Sequence, residues 1–504
     1  MQAAAAAGVP ALLGAWPSAA AGLAAGEAPH RFADVVARAR ALAAAPHEPR
    51  EATLPAGFAD LDARDYAAIT PDPKARLALG GVPPFALEPL PPGFIYTDPV
   101  ALARVEGARA RPIPFSPHFF RLAGGALPEE TGAAEATAPA FSGFRLCHAI
   151  ERVDVLDEVA RFQGASNFQA RHRGGVFGAS ARGLAIATGE PEGEEVPRFT
   201  DLWIHAAEDE AAEVVVHALL ESPSIAGAFA FTLRPGEATA IDVVCRLFPR
   251  ADIPAIGIAP VSSMHLFGPN GRRGFDDLRD AVHDSDGLQV VTGRGERLWR
   301  PLVNPARPRL SGFVDASPAG FGLAQRARDF GRFGDPEAGF ERRPSVWVEP
   351  RGQWGPGQVV LVEIPLPSEA NDNIVAFWRP SGGLEAGREH AFDYRLTFAP
   401  LPPDGAPLAR VVATRSGADG EGARRFAVDF DRSALPDGPL EPRITASQGL
   451  LSRIEIVGTP DPDRVRVAFR FAPSGAELSE FRLVLHGGDG QPASETWLYR
   501  WTRA

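Results

Sequence analysis

The chain has 504 residues, of which 45% are hydrophobic and 9% aromatic, so it can form sizeable cores in two or three domains, or in one very large β-domain with a smaller companion. Its formal net charge of −12 argues against a nucleic-acid partner, which would require a basic surface. No run of Lys and Arg suggests an anionic membrane, and a neutral polar ligand fits this charge balance better than a polyanion.

The first 26 residues carry no charged side chain, and Glu27 ends this alanine-rich stretch. The pattern resembles the apolar region and small-residue cleavage zone of an export signal, although no Lys or Arg precedes the apolar part. We interpret residues 1–26 as a truncated signal segment, the alternative being a disordered alanine-rich tail. No later stretch is apolar for long enough to span a bilayer, so we expect an exported, soluble protein.

Helical patterns come next along the chain. Residues 30–46 place a set of apolar side chains on one helical face: Phe32, Val35, Val36, Ala39 and Leu42. This spacing predicts an amphipathic helix that Pro46 ends. A second short helix is predicted within residues 54–70.

From about residue 80 the pattern changes to β-rich runs separated by Gly, Pro and Asp, with a hairpin predicted to turn at Pro235-Gly236. The 52 glycines and 49 prolines, with strands that rarely alternate with helices, favour a large antiparallel β-sandwich over residues 27–398. Residues 399–409 contain four prolines and are the best linker. Residues 410–504 hold seven short β-runs, which predicts an immunoglobulin-like sandwich. The predicted fold class is therefore all-β.

The two cysteines, Cys147 and Cys245, are nearly 100 residues apart and lie in apolar runs, which favours two buried thiols over a disulfide. Metal-ligand spacing is absent, and the sequence predicts neither a metal nor an organic cofactor.

Residues 283–287, His-Asp-Ser-Asp-Gly, allow three interpretations. They can form a metal loop, supply half of an acid–base pair, or make a turn through local side-chain hydrogen bonds. The remaining ligand positions of a calcium loop are missing after Asp284 and Asp286, so for this stretch alone a turn is the default.

A second acidic cluster, Glu369 to Asn373, precedes an apolar strand and strengthens the acid–base interpretation. Cleavage of a glycosidic bond commonly uses two carboxyl groups, one to protonate the leaving oxygen and one to activate water. Aromatic and arginine side chains between the two clusters suit a glycan cleft, although core packing and ion pairing explain them equally: Trp299, Trp347, Trp354, Arg272, Arg273, Arg300 and Arg343.

Ordered blocks along the chain identify a family resemblance. They include "SARGLAI", "IGIAPVSSMHLFG", "RRGFDDLRDAVHDSDGL", "RPSVWVEPRGQWGPGQVVLVEIP", "NDNIVAFW" and "SETWLYRW". From about residue 30 to the C-terminus the chain resembles the periplasmic glucan biosynthesis proteins G and D, which serve the making of osmoregulated β-1,2-linked glucans.

The resemblance implies a galactose mutarotase-like β-sandwich joined to an immunoglobulin-like domain. It also implies inverting endo-β-1,2-glucanase activity, with Asp372 matching the family's general acid. Asp284 matches the general base, which acts through a chain of waters. Lower-ranked expectations for glucan-binding or supporting residues are Glu369, Arg182, Arg273, Trp299 and Trp347.

The sequence departs from the glucanase pattern at three places. Phe340 and Asn167 replace tyrosines of the family pattern, and the cleft-covering loop of the D-type protein is cut to residues 418–423. These departures keep two alternatives open, an anomer-inverting transglycosylase and a non-catalytic glucan-binding partner of a membrane glycosyltransferase. The expected location is the periplasm, the expected partner is β-1,2-glucan rather than nucleic acid, and a homodimer is left open.

Overall fold

The computed structural model describes residues 28–49, 54–55, 57–122, 140–207, 212–272, 274–403, 408–420 and 422–503. The predicted signal segment and Arg273 therefore lie outside the described residues. Strands account for 49% of the structure and helices for 7%, which confirms the all-β prediction.

The described α-helices are short: α1 (Phe32–Ala43), α2 (Ala63–Ala68) and α3 (Phe330–Phe333). Single turns of 3-10 helix lie at Pro73–Ala75, Pro117–Phe119 and Phe340–Arg342. Both predicted N-terminal helices are confirmed. Helix α1 buries Val35 and Ala39, and it packs on a sheet through a cluster that includes Trp203. No helix among the described residues has the length and apolarity needed to cross a membrane.

The strands before residue 164 are β1 (Ala28–Pro29), β2 (Ile69–Pro71), β3 (Leu77–Gly80), β4 (Phe85–Leu90), β5 (Ala101–Glu106), β6 (Arg109–Pro112), β7 (Phe120–Leu122), β8 (Gly143–His148) and β9 (Asp157–Gln163). Those that follow are β10 (Asn167–Ala170), β11 (Ser180–Arg182), β12 (Leu184–Ile186), β13 (Arg198–His205), β14 (Val214–Ser222), β15 (Ile225–Arg234), β16 (Thr239–Pro249), β17 (Ile256–Ser263), β18 (His265–Phe267) and β19 (Val282–His283).

The next strands are β20 (Gly287–Val291), β21 (Arg297–Pro301), β22 (Arg309–Asp315), β23 (Gly320–Ala324), β24 (Ser345–Arg351), β25 (Gly357–Glu363), β26 (Ile374–Pro380), β27 (His390–Ala391) and β28 (Asp393–Ala399). The C-terminal strands are β29 (Val411–Ala418), β30 (Arg424–Asp431), β31 (Glu441–Ala446), β32 (Leu450–Val457), β33 (Arg464–Ala472), β34 (Leu478–His486) and β35 (Thr496–Thr502). The break between β15 and β16 confirms the predicted hairpin turn.

Two large sheets form the main sandwich. The first runs β1-β6-β5-β13-β14-β15-β16-β28-β24-β23-β20-β21-β35-β34-β31, with β27 beside β16. The second runs β22-β25-β26-β17-β11-β10-β9-β8-β4-β3, with β12 beside β17. Their inner faces meet through aromatic rings, because Phe231 of the first sheet packs edge-on against Phe162 and Phe168 of the second at 5.3 and 5.0 Å. The core is therefore a layer of interleaved side chains between two sheets.

The C-terminal residues form a second sandwich from the seven predicted strands. The four-stranded sheet β29-β30-β33-β32 packs against β34 and β35, with Phe469 and Trp497 6.1 Å apart between the layers. Strand β35 also pairs in parallel with β21, where Trp299 lies opposite Trp497. Predicted linker residues 399–409 lie between β28 and β29, and the proposed division into domains stays a prediction.

Both cysteines are buried as free thiols, as the sequence predicted. The remaining short ladders are β2 with β7 and β18 with β19. The ladder of β18 with β19 adjoins the end of β17 and brings the two acidic clusters together.

Candidate active site

Strand β17 organises the site from the centre of the second sheet. On one side Ser180 of β11 pairs with Ser262, and on the other Ile374 of β26 pairs with Ser263. Asp372 lies two residues before Ile374. The register of three neighbouring strands therefore brings Ser180 and Asp372 to the same end of β17.

The chain beyond β17 adds the first acidic cluster to that end. Strand β18 pairs with β19 so that His265 lies opposite His283. The next residue, Asp284, donates its backbone N–H to the Met264 carbonyl at 2.8 Å. Asp284 is thus held on a short hairpin directly beside the end of β17.

The buried amide of Asn373 fixes the second acidic cluster. Its Oδ1 accepts the His265 backbone N–H at 2.8 Å, and its Nδ2 donates to the carbonyls of His265 and Ile364 at 3.1 and 3.0 Å. The side chain therefore satisfies backbone groups on both sides of the strand start, and it positions the adjacent Asp372.

Asp284 is a buried carboxyl with one cationic partner. Its Oδ1 accepts a hydrogen bond from the Arg343 guanidinium. Burial raises the pKa of Asp284 to about 7 against the opposing charge of Arg343, with smaller upward contributions from Asp372 and Glu369. The pKa of Asp284 therefore responds to the charges of the second acidic cluster.

Asp372 has a different environment. The residue is exposed, yet the protein around its carboxyl removes part of its hydration, and this desolvation raises the pKa of Asp372. The opposing influences are a 3.2 Å hydrogen bond from the Ser180 hydroxyl and the charges of Arg182 and Arg343. Both carboxyls therefore hold a proton more readily than an ordinary aspartic acid.

Arg343 reaches Asp284 from the segment that leads into β24. Its guanidinium lies over the ring of Phe340 at 4.4 Å and donates to the Ala338 carbonyl at 3.3 Å. Gly178 makes room for it, since a Cβ at that position would lie 2.9 Å from the Arg343 side chain. Phe340 and Gly178 therefore both restrict the position of the Arg343 side chain.

Glu369 and Arg182 lie at the margins of the site. Arg279 donates to Glu369 at 2.8 Å and also pairs with Asp277 and Asp335. Residues 276–279 and 334–336 line an open depression of about 450 Å³ beside this ion-pair network. Arg182 pairs with Glu194 at 3.0 Å while its charge still lowers the pKa of Asp372.

The two predicted tryptophans are buried. Trp299 carries the Arg326 guanidinium over its ring at 3.6 Å and packs in the C-terminal core. Trp347 pairs with Gly322 on β23 and covers Gly320. Their glucan-binding role stays a prediction.

The neighbours of Asp284 have separate partners. The His283 ring stacks on His265 with centroids 5.1 Å apart, and burial holds its pKa well below the usual range. Asp286 accepts the backbone N–H groups of Arg326 and Ala327 at 3.2 and 3.1 Å. Asp286 thus connects this turn to the segment that follows β23. These contacts suit the predicted role of His283 and Asp286 as the setting of Asp284.

The three departures noted in the sequence can also be placed. Phe340 is buried beneath Arg343, and Asn167 is exposed opposite Arg182 in the β10–β11 ladder. Residues 418–423 lie where β29 leads to β30, and among the described residues of this stretch Asp419 donates its backbone N–H to the Ala423 carbonyl at 2.9 Å.

Ser180 was not predicted as a site residue, and Arg343 was grouped with other arginines without a role. Ser180 lies in the same block as Arg182, "SARGLAI", but its contact with Asp372 spans 192 residues. The strand register that joins them is not readable from either segment alone.

Chemically, the site offers two carboxyl groups with different neighbours on separate chain segments. A carboxyl whose pKa lies near neutrality can act as a proton donor or acceptor at physiological pH. Paired carboxyl groups of this kind carry out acid–base cleavage of glycosidic bonds.

Comparisons with known proteins agree with the resemblance read from the sequence. The family model described as "Periplasmic glucan biosynthesis protein, MdoG" matches residues 30–501. A Glucans biosynthesis protein G from Vibrio cholerae is 41% identical over 473 residues, covering 93% of this chain and 86% of the relative. Proteins of the same name from Shewanella sp. (strain W3-18-1) and Shewanella frigidimarina are 42% and 41% identical over 473 residues, covering 93% of this chain and 86% and 84% of the relatives.

Proposed function

Because the chain belongs to the family of periplasmic glucan biosynthesis proteins, we propose that it acts in the periplasm on β-1,2-glucan backbones and cleaves them internally with inversion of the anomeric carbon. The observation that supports this proposal best is the convergence of Asp284 and Asp372 at one end of β17. Each carboxyl has its own polar partner, so the two groups are suited to different steps.

In the proposed reaction Asp372 is the general acid. Its raised pKa favours the protonated form, which can donate to the leaving glycosidic oxygen. Ser180 holds Oδ2 of the carboxyl by a 3.2 Å hydrogen bond, which leaves the other oxygen to carry the proton. Ser180 is accordingly a positioning residue.

Asp284 is the general base of the proposal. A base with a pKa of about 7 accepts a proton effectively near neutral pH. Because the carboxyl is buried, it receives the proton of the attacking water through intervening waters. Arg343 stabilises the ionised form before the transfer.

The proposed substrate contacts lie around this pair. Glu369 and Arg182 flank the carboxyls, and the depression beside Arg279 extends the surface on which a glucan chain can lie. The full set of proposed glucan-binding or supporting residues is Glu369, Arg182, Arg273, Trp299 and Trp347.

The shortness of the stretch 418–423 supports a second candidate, transfer of the cleaved chain to a sugar hydroxyl. With these six residues in place of the longer D-type loop, less protein is available to cover the cleft and hold water in place. Asp372 would act as the acid in both reactions. The same feature supports a third candidate, a non-catalytic glucan-binding partner of a membrane glycosyltransferase.

The test is incubation of the purified protein with linear β-1,2-glucan, followed by analysis of chain lengths, reducing ends and the anomer first formed. Hydrolysis gives shorter chains with a rise in reducing ends. The Asp372→Asn variant is expected to lose at least about 100-fold in rate, the usual contribution of a general acid, while an exposed control, Asp154→Asn, retains full activity.

Other outcomes separate the candidates. Cyclic or elongated products without new reducing ends favour transfer, and binding without any change in chain length favours the glucan-handling role. Undiminished turnover in the Asp372→Asn variant contradicts the assignment of the acid.

A further inference from the structure

Three histidines converge on the outer side of the first sheet, away from the elements that build the carboxylate site. They are His30, which follows β1, His205, which ends β13, and His217 in the middle of β14. One nitrogen of each ring lies within 4.8 Å of the other two. Sequence patterns do not reveal this cluster, because its members come from distant or irregularly spaced positions.

The fold holds each ring by a separate contact. Strand β14 places His217 opposite Trp203 of β13, two residues before His205. His30 donates its backbone N–H to the Ala108 carbonyl at 2.9 Å, and its ring stacks on Trp203 with centroids 4.9 Å apart. Two of the three rings therefore belong to the paired strands β13 and β14, and the third follows directly on β1.

The three nitrogens are arranged around Nδ1 of His217. Nε2 of His30 lies 3.0 Å from it, and Nε2 of His205 lies 3.2 Å from it. A ring nitrogen of neutral imidazole has either one proton to donate or one lone pair to accept with, so the Nε2 atoms of His30 and His205 compete for one hydrogen bond with Nδ1 of His217 in either tautomer. A cation between the three rings uses one lone pair from each and removes this competition.

These distances suit a zinc-type coordination sphere. Zn²⁺ binds imidazole nitrogen at about 2.0–2.1 Å in tetrahedral geometry, which places ligand nitrogens roughly 3.4 Å apart. The spacings of 3.0 and 3.2 Å to Nδ1 of His217 are close to that value, and all three nitrogens lie within 4.8 Å of one another.

The protonation states also fit. Burial lowers the pKa of His30 and His205 to about 4 and that of His217 to about 3. At neutral pH all three rings are uncharged, which is the form that binds a metal.

We propose that His30, His205 and His217 bind one divalent transition-metal ion of the zinc class. His30 and His217 are buried and His205 is half-buried. The ion has a structural role: it fastens the segment ahead of helix α1 to strands β13 and β14. This site is independent of the proposed glucan chemistry, and it departs from the sequence-based prediction that the protein holds no metal.

The experiment uses the full-length protein without a histidine tag, stripped with a chelator and dialysed. Zn²⁺ is titrated and the bound metal is measured by mass spectrometry after gel filtration. About one equivalent is expected to remain bound. Co²⁺ in place of Zn²⁺ is expected to give the intense visible absorption of a tetrahedral nitrogen site.

Variants identify the ligands. His205→Asn and His217→Asn are expected to weaken metal affinity by roughly tenfold or more, as loss of site contacts does in metalloproteins. His118→Asn, at an exposed histidine, serves as the matched control and should bind as the wild type does. Circular dichroism establishes that each variant is folded.

Two results overturn the proposal. One is a wild-type protein that retains no Zn²⁺ and shows no tetrahedral Co²⁺ spectrum. The other is unchanged stoichiometry and affinity in the folded His205→Asn or His217→Asn variant. If a variant does not fold, the wild-type Co²⁺ spectrum and the His118→Asn control decide between a specific site and adventitious binding.

Discussion

Asp284 is a carboxyl group that folding removes from water and provides with one cation, Arg343. Its pKa rises from 3.8 to about 7, a difference that corresponds to about 4 kcal/mol at high pH. The native protein binds this proton more readily than the unfolded chain does. The contribution of Asp284 to stability therefore falls as the pH rises from about 4 to about 7.

We predict that Asp284→Asn makes the protein more stable at pH 8, by about 2 kcal/mol once the partial loss of the Arg343 contact is included. The gain should be much smaller at pH 5, where Asp284 is largely protonated in the native state. Urea denaturation at the two pH values measures the difference.

Asp429 is the matched control, because it is a buried aspartate whose ion pairs with Arg466 and Arg415 lower its pKa despite burial. Asp429→Asn should lower the stability at pH 8. A destabilising effect of Asp284→Asn at pH 8, similar to that of the control, would show that Asp284 is a structural ion pair.

At the scale of elements, the start of strand β26 depends on the side chain of Asn373, which forms hydrogen bonds with backbone groups as another strand would. The Asn373 amide donates to two carbonyls and accepts from one N–H group. An aspartate at this position keeps the acceptor but replaces the amide NH2 group, which makes both donations, by one oxygen that repels the two carbonyls, and an unsatisfied buried group costs about 1–3 kcal/mol.

Asn373→Asp is therefore predicted to lower the free energy of unfolding by roughly 3 kcal/mol and to reduce any glucan cleavage, because Asp372 loses its support. Thermal unfolding and the chain-length assay measure the two effects. The neighbouring Asn371 is exposed, so Asn371→Asp makes the same chemical change without either effect. Equal behaviour of the two variants would contradict this role of Asn373.

The elements were far more predictable than their pairing. The apolar spacing of helix α1, the turn at Pro235-Gly236 and the seven C-terminal strands follow from local periodicity. The contact of Ser180 with Asp372 and the parallel pairing of β21 with β35 join segments about 200 residues apart. Local patterns do not encode such partners. The two acidic clusters stand out in the sequence itself, whereas the roles of Asp372 as acid and Asp284 as base were assigned through the family resemblance.

At the scale of the whole molecule, a buried ion pair joins the two sandwiches. Arg326 donates to both carboxylate oxygens of Glu495 at 2.5 and 3.0 Å, and Glu495 also accepts the Val411 backbone N–H at 2.6 Å. The backbone N–H of Arg326 is bonded to Asp286, two residues from Asp284. The residues Glu495, Arg326 and Asp286 thus form a short hydrogen-bonded connection from the C-terminal sandwich to the candidate site.

Removal of Glu495 leaves the buried Arg326 charge without its partner, which typically costs 3–5 kcal/mol. We expect Glu495→Ala to lower the stability by about 3 kcal/mol and to separate unfolding into two calorimetric transitions. Glu477→Ala removes an exposed ion pair with Arg503 and should change the stability by less than about 1 kcal/mol. A single, unshifted transition in Glu495→Ala would show that other contacts hold the sandwiches together.

The parallel pairing of β21 with β35 has a consequence for the order of folding during synthesis. Leu298 lies opposite Thr496, so β21 lacks its neighbour β35 until the ribosome has added about 200 further residues. Until then the strand presents unpaired backbone groups, which are a template for association with other chains. A nascent chain of this protein therefore has to be kept from its neighbours until β35 has emerged.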